Sequence, residues 1–252
     1  MERSEDLIPE ETRAELAAFG VPREQQVPSV LAGLFPRELN IRAAKLSTQD
    51  LAWVLVDLTR RGIISLSGTA VATSVKSVHP GWHFCQFYKD FDELLRLVTP
   101  YIAEGLRNGE GCFWVMPEIV GNKAARAALL KSVPNVDDYL ASGQLELMSH
   151  ADWYLEPSGQ LKSFEQVTEA LLGRQDRALS KGFKFLRAAG DGGWACGTSH
   201  CREFIDYEMK INAAIGATKV AAICTYRPEV SADELVGIVT AHQNALFQSS
   251  VG

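Results

Sequence analysis

The stretch "GCFWVMP", residues 111–117, is a short and nearly continuous apolar run. A run of this length and composition predicts a β-strand that is buried on both faces. Three further runs share this character: "QLELMSH" (144–150), "FKFLRAAG" (183–190) and "KVAAICTY" (219–226). Helical patterns alternate with these runs, over about 90–108, 119–131, 163–181, 199–216 and 231–246. From about residue 76 onward, the alternation predicts an α/β fold, with a parallel sheet between helices on both faces.

The first 75 residues have a different pattern, so we divide the chain into domains at 1–75 and 76–252. In "LSTQDLAWVLVDLTRRGIISLSGTAV" (46–71), apolar residues at helical spacing precede Gly62 and a short β-prone run. This order predicts a small, mainly helical domain of winged-helix type. A helical appendage that packs on the main domain or on a second subunit is the alternative. Residues 1–75 carry eight Arg and Lys against ten Asp and Glu, and this balance does not favour DNA binding.

Composition narrows the class of protein. Of 252 residues, 46% are hydrophobic and 22% are charged, which is typical of a globular protein with a substantial core. The net charge of -6 gives no general attraction to nucleic acid or to anionic lipid. No stretch has the character of a signal peptide or a membrane span, so we expect no membrane contact and a cytoplasmic location. Five cysteines, an odd number, fit reduced thiols better than a disulfide framework.

The segment "WVMPEIVGNKAAR" (114–126) occupies a strand–loop–helix position in which a phosphate-binding loop could lie. A P-loop needs convergent glycine amides, followed by Lys and then Ser or Thr. Here Pro117, Glu118 and Ile119 stand in place of the glycines, and Lys123 is followed by Ala124. This is a degenerate P-loop without an intact Walker A motif, so we expect neither ATP binding nor ATP hydrolysis.

Cysteine and histidine side chains are concentrated in two places. His83 and Cys85 are two residues apart, as are side chains on one face of an extended segment, and "WACGTSHC" (194–201) holds Cys196, His200 and Cys201. Together these side chains could bind a transition metal such as zinc. Their spacing matches no standard zinc pattern, and buried cysteine is common as a small apolar residue. Both interpretations stay open.

A carboxylate lies on an apolar helical stripe. Glu208 has the same 3.6-residue spacing as Phe204 and Ile211, so its side chain is directed at the core and needs a partner. Arg187, near the carboxyl end of its predicted strand, is the best candidate, because open α/β sheets place ligand sites at that end. A purely structural ion pair is an equally good interpretation of these two residues.

Five stretches in order match a known family pattern. They are "HFCQFYKDFDELLRLVTPYIAEGLRNGEGCFWVMPE" (83–118), "LRAAGDGGW" (186–194), "DYEMKIN" (206–212), "AAICTYRPE" (221–229) and "AHQNALF" (241–247). Over about residues 79–248 the chain resembles the MEDS domain, the methanogen/methylotroph, DcmR-like sensory domain. The resemblance implies a RecA/KaiC-type α/β core that has lost its phosphate loop. It also implies that the domain binds a small-molecule effector, such as a simple hydrocarbon derivative.

The resemblance also assigns site residues and partners. It places the recognition site at His83, Cys85 and Tyr88, and the other candidate ligand-binding residues are Arg187, Trp194, Tyr207 and Glu208. Two further specific parts of the pattern are Gly105-Leu106-x-x-Gly109-Glu110 and Cys224-x-Tyr226. Such domains occur beside DNA-binding or histidine-kinase modules. We therefore expect a signal-sensing protein that relays effector binding to residues 1–75, which would contact DNA or a signalling protein, and that forms homodimers. A transcriptional regulator would fit this description.

Two alternatives use the same fold. One is a redox sensor based on a metal or on thiols, and the other is an enzyme that acts on small one-carbon or halogenated substrates. No convincing catalytic constellation is visible in the sequence, so we expect a protein that is not an enzyme.

Overall fold

A computed structural model of the protein describes residues 31–35, 38–41, 64–65 and 78–249. A single sheet of nine strands forms its centre. The strands are β1 (Leu31–Phe35), β2 (Glu38–Ile41), β3 (Ile64–Ser65), β4 (His83–Phe87), β5 (Gly111–Met116), β6 (Leu145–Ser149), β7 (Leu186–Asp191), β8 (Val220–Tyr226) and β9 (Asn244–Ser249). The helices are α1 (Phe91–Arg107), α2 (Gly121–Leu130), α3 (Val136–Ser142), α4 (His150–Tyr154), α5 (Phe164–Ser180), α6 (Cys201–Ile215) and α7 (Ala232–Thr240).

The sheet order is β1-β2-β9-β4-β8-β7-β5-β6, and β3 also pairs with β9. The strands from β9 to β6 along this order are all parallel to their neighbours. β1 and β2 are antiparallel to each other, and β2 and β3 are antiparallel to β9. The predicted α/β class with a parallel sheet is therefore confirmed.

Helices cover both faces of the parallel part of the sheet. On the front face, buried side chains of α5, α6 and α7, such as Val167, Phe204 and Ile238, join one apolar core. On the back face, α1 and α2 supply a second core, with Leu97 and Leu129 among its members. The strands between the two cores are buried along almost their whole length, as their apolar sequences predict.

Most predicted elements lie within a few residues of the observed ones, but β4 and β9 of the parallel sheet and the short helices α3 and α4 were missed. β4 was assigned only as an extended segment before a helix, although all five of its residues are buried. The helix predicted over 231–246 is wrong beyond Thr240, because the chain enters β9 at Asn244 and pairs there with β4. Pairing with β4 is a long-range interaction, and apolar spacing along the chain does not reveal it.

Part of the first 75 residues extends the main sheet. β1 and β2 form a hairpin that the sequence did not predict, and β3 coincides with the β-prone run after Gly62. All three strands connect to the parallel core through β9. The helices predicted in this region, and with them the winged-helix arrangement, lie outside the described residues.

Within the ranges that the structure describes, none of the helices is both long enough and apolar enough to cross a membrane.

Candidate functional site

The site begins at β4, which lies between β8 and β9 near one side of the parallel sheet. Because side chains alternate along a strand, Cys85 and Phe87 join the front core while Phe84 joins the back core. Cys85 is paired in register with Cys224 of β8, so two thiols face the same side of the sheet. The next helix begins at Asp90, whose carboxylate accepts a hydrogen bond from the Glu93 amide.

Four polar side chains meet on the front face, in what we call the inner cluster: His83, Glu208, Cys224 and His242. They come from β4, α6, β8 and the turn after α7, and their candidate ligand atoms all lie within 4.8 Å of one another. The Nε2 atom of His83 is 3.2 Å from Glu208 Oε2 and 3.4 Å from Cys224 Sγ. All four residues are at most 6% exposed.

The two imidazole rings of the inner cluster are held by their other nitrogen atoms. Nδ1 of His242 is 2.7 Å from the Ile238 carbonyl oxygen, and Nδ1 of His83 is 3.2 Å from Asn212 Oδ1. Both Nδ1 atoms therefore donate, so that in the neutral form of each ring the lone pair is on the Nε2 atom. Burial, with the neighbouring His83 imidazole, lowers the pKa of His242 well below its usual value, so the His242 ring is neutral.

The Cys224 thiol in the inner cluster and the Cys85 thiol beside it are both protonated. Burial raises the pKa of Cys224 well above its usual value, and the Glu208 carboxylate adds to the effect. Burial and Glu208 raise the pKa of Cys85 in the same way. Neither thiol has the lowered pKa of a reactive cysteine.

A small cavity, the inner pocket, adjoins the inner cluster. Its volume is about 40 Å³. The small residues Ala188, Gly190 and Ala222 form part of its lining on the sheet, and a Cβ atom at Gly190 would lie 2.8 Å from the Tyr154 hydroxyl oxygen. The remaining lining is mainly aromatic and aliphatic, and it comprises Phe113, Val115, Trp153, Tyr154, Leu171, Ala189, Tyr207 and Ile211, with His83, Glu208 and Cys224 as the polar part. The arrangement suits a small apolar molecule with one polar substituent.

A second and larger cavity, the edge cleft, lies at the carboxyl ends of the parallel strands and has a volume of about 600 Å³. Tyr88, Asp191 and Arg227 line it, and the Tyr88 hydroxyl donates to Asp191 Oδ1 over 2.8 Å. Burial raises the pKa of Asp191 to about 7, although hydrogen bonds from Tyr88, Gly193 and Thr225 offset part of the effect. Open α/β sheets bind ligands at this edge.

Trp194 forms one wall of the edge cleft. Its ring stacks on His150, with centroids 5.3 Å apart, and on Tyr154, with centroids 6.0 Å apart. The indole Nε1 atom is buried and has no hydrogen-bond acceptor among the described residues. A ligand in the edge cleft could supply that acceptor.

Arg187 belongs to neither cavity. It lies on the back face, where its Nε atom donates to Glu110 Oε2 over 2.5 Å and its guanidinium lies over the Tyr101 ring. The predicted Arg187–Glu208 pair is wrong, because the two side chains are on opposite faces of the sheet. Strand alternation sends Arg187 backward, whereas α6 presents Glu208 to the front face.

The five predicted metal ligands are not brought together. Cys201 begins α6, close enough to Cys196 and Glu234 for both to act on its pKa, and His200 faces Trp194. Of the five, His83 is the one that joins the inner cluster. All five cysteines of the chain are free thiols, as expected.

The predicted recognition residues are divided between the two cavities. His83, Tyr207 and Glu208 line the inner pocket, with Cys85 nearby on β4, while Tyr88 and Trp194 line the edge cleft. Sequence reasoning did not assign Cys224, His242 or Asp191 to a site. The sequence did contain a signal for Cys224 and His242, because they lie in "AAICTYRPE" and "AHQNALF", two of the stretches that match the family pattern.

Two backbone amides of the loop after β5 are already engaged within the loop. The Val120 and Gly121 amides both donate to the Pro117 carbonyl oxygen, over 3.0 and 3.3 Å. These amides are therefore not directed at a common point in solvent, as phosphate binding would require.

A search of curated proteins found no match to this chain. A family model does match: MEDS, the MEthanogen/methylotroph, DcmR Sensory domain, over residues 82–243. The matched region is more than half of the chain and contains every residue of the inner cluster.

Proposed function

The chain belongs to the MEDS family, and on that premise we propose that it senses a small, largely apolar effector bound in the inner pocket. The observation that supports this proposal is the composition of the pocket. Small side chains on the sheet and aromatic walls enclose the space, and His83, Glu208 and Cys224 supply one polar end. Ligand sites are commonly of this kind, with an apolar lining and a few convergent polar groups.

The size of the pocket restricts the effector. A cavity needs about 10–15 Å³, by the same measure, to hold one water molecule. A volume of about 40 Å³ therefore holds a molecule of about three or four heavy atoms. A hydrocarbon derivative of one to three carbon atoms fits, with its heteroatom or halogen directed at the inner cluster.

Backbone connections support a relay from this site to the first 75 residues. The Gln243 amide donates to the His83 carbonyl oxygen over 3.0 Å, and β9 begins at the next residue. β9 pairs with β4 on one side and with β2 and β3 on the other. An effector that binds one arrangement of His83 and His242 better than another would shift β9, and with it these two strands.

The output of this relay is a regulatory one in our proposal. Residues 1–75 would contact DNA or a signalling protein, which would make the chain a transcriptional or signalling regulator that acts as a homodimer in the cytoplasm. Five free thiols suit a reducing compartment. We also propose that the core is of RecA/KaiC type without its phosphate loop and does not bind ATP, because the Pro117 carbonyl already accepts the loop amides.

Binding fits the site better than turnover. A cysteine-dependent enzyme or a thiol redox switch would need an accessible cysteine of lowered pKa, whereas burial raises the pKa values of Cys85 and Cys224. The inner cluster is also shielded from bulk water by its burial.

The test compares two adjacent alanines of β8. Ala222 faces the inner pocket, and Ala221 is buried on the back face. Ala222→Val fills the pocket, and Ala221→Val is the matched control for overpacking. Thermal shifts are measured with a panel of one- to three-carbon alcohols, amines and halides. We expect a stabilising shift in the wild type and in Ala221→Val, and its loss in Ala222→Val.

Two outcomes would contradict the proposal. If Ala222→Val responds as the wild type does, the effector binds elsewhere, and loss of the response in Trp194→Phe would place it in the edge cleft. If no member of the panel shifts the melting temperature of any of these proteins, the proposed effector class is wrong.

A further inference from the structure

The inner cluster is rich in hydrogen-bond acceptors. Glu208 is 3% exposed, and its ion-pair partners within residues 78–249 are His83 and His242 rather than Lys or Arg. With both Nδ1 atoms donating elsewhere, the two Nε2 atoms face one carboxylate oxygen, at 3.2 Å and 3.8 Å, and the neutral form of each ring presents a lone pair to it. Acceptors that face one another in a buried space repel unless a cation or a proton lies between them.

The distances fit coordination of a single ion. Zinc binds imidazole nitrogen and carboxylate oxygen at about 2.0–2.2 Å and thiolate sulfur at about 2.3 Å, so neighbouring ligands of a tetrahedral site lie about 3.3–3.8 Å apart. In the inner cluster, Cys224 Sγ is 3.4 Å from His83 Nε2 and 3.7 Å from Glu208 Oε2. These spacings, with those from Glu208 to the two histidines, are close to the edges of such a tetrahedron.

The groups around the cluster are also those of a metal site. Metal-binding histidines commonly donate their other ring N–H to a carbonyl or carboxamide oxygen, which fixes the ring and its tautomer. Ile238 and Asn212 have this role for His242 and His83. In addition, His242 Nε2 is buried and has no hydrogen-bond partner among the described residues. An unpartnered nitrogen at this depth is an independent sign of a missing ligand.

We propose that the inner cluster binds one divalent transition-metal ion, with zinc as its occupant. The ligands are Nε2 of His83, Nε2 of His242, Cys224 Sγ and a carboxylate oxygen of Glu208. Two imidazoles, one thiolate and one carboxylate are a borderline-soft set that selects zinc or its neighbours over magnesium and calcium. Binding transfers the Cys224 thiol proton to solvent, and the metal takes its place. The proposal stands apart from the identity of the effector.

The experiment uses the full chain, stripped with a chelator and titrated with Co²⁺ as a spectroscopic probe. We expect one Co²⁺ per chain, a thiolate-to-cobalt charge-transfer band, the intense visible bands of a tetrahedral site, and displacement of Co²⁺ by Zn²⁺. Cys224→Ser should abolish the charge-transfer band. Cys112→Ser is the matched control, because Cys112 is equally buried but lies on the back face.

His242→Gln tests the ligand that the sequence did not assign. Losing one of four ligands should weaken Co²⁺ affinity by at least the 10- to 100-fold that second-shell changes alone produce. X-ray absorption of the zinc-loaded wild type gives an answer that needs no variant, and we expect one sulfur among four ligands.

The proposal is overturned if the stripped protein takes up no Co²⁺, if the bound ion has no sulfur ligand, or if Cys224→Ser and His242→Gln bind as the wild type does. The effector panel is repeated on stripped protein. If stripped protein still responds to the effector, that result supports the proposed function. The Co²⁺ titration then decides the metal proposal by itself, so either proposal can fail without the other.

Discussion

Two buried polar groups lie on opposite faces of the same sheet, and they differ in the kinds of side chain that they bring together. On the back face, Arg187 and Glu110 form a pair of opposite charges, and Arg187 Nη1 also donates to the Tyr101 carbonyl oxygen. On the front face, the inner cluster brings two imidazoles, a thiol and a carboxylate together, and His242 Nε2 has no hydrogen-bond partner among the described residues. A buried guanidinium beside a carboxylate is matched in charge, whereas a buried nitrogen without a hydrogen-bond partner marks a place for a ligand.

Packing around the two groups differs in the same way. α1 approaches the ion pair so closely that a Cβ atom at Gly105 would lie 2.7 Å from Arg187 Cδ. The front face instead keeps a cavity beside its cluster, because Ala188, Gly190 and Ala222 have little or no side chain. The tightly packed back face therefore supports the sheet, and the front face has room for a small molecule.

We expect the largest effect from a substitution that breaks the Arg187–Glu110 ion pair. Arg187→Met leaves the Glu110 carboxylate buried without its cation, and we expect the free energy of unfolding to fall by about 3–5 kcal/mol. Urea denaturation of Arg187→Met, Glu110→Gln and the double variant measures the coupling. The double variant should lose less than the sum of the single losses. Simple additivity would show that the two residues are independent.

A second prediction concerns Asp191, a buried carboxylate of the edge cleft. Its pKa is about 7 in the folded protein and 3.8 in a model peptide, so the unfolded chain loses this proton first as the pH rises. Asp191 therefore lowers stability progressively from about pH 4 to pH 7, by at most about 4 kcal/mol at 1.36 kcal/mol per pH unit.

Asp191→Asn keeps the acceptor for the Tyr88 hydroxyl and removes this titration. Its stability relative to the wild type should rise across that pH window, as measured by urea denaturation at several pH values. Comparison with the wild type also removes the opposite contribution of His242, whose lowered pKa costs stability below about pH 6.5. A pH-independent difference would contradict the burial of a titrating Asp191.

The third prediction compares the inner cluster with the Arg187–Glu110 pair in their response to added zinc. A metal that binds the folded chain alone stabilises it by about 2.7 kcal/mol when its free concentration is 100 times the dissociation constant. We expect this gain in the wild type and in Arg187→Met, measured against the same protein after chelation. His242→Gln should show little or none of it at the same zinc concentration. An equal gain in His242→Gln would place the zinc outside the inner cluster.

We expect the smallest effect from a substitution at Cys85, which lies just outside the inner cluster. Cys85 faces the same side as Cys224 but is not among the four grouped residues. Cys85→Ser should change the free energy of unfolding by about 1 kcal/mol, a typical value for a point mutant, and leave Co²⁺ binding intact. Retention of the charge-transfer band checks this result. Its loss would make Cys85 the thiolate ligand.

The sequence predicted the parallel sheet and its long helices well, because these features depend on local periodicity. It failed at β9, where Asn244 begins a strand that pairing with β4 determines. It also paired Glu208 with Arg187, because no local pattern shows which side of a strand each neighbouring helix covers. Likewise, Tyr88 and His83 are five residues apart, yet they line different cavities.

By itself, the sequence determined the α/β class, the alternation of the main strands and long helices, and membership of a sensory family. Each of these follows from residues that are close in the chain or from an ordered pattern along it. The tertiary structure alone decided that His83, Glu208, Cys224 and His242 meet, since they come from four elements separated by up to 159 positions. The meeting depends on crossover connections and on strand alternation, and both are properties of the folded sheet.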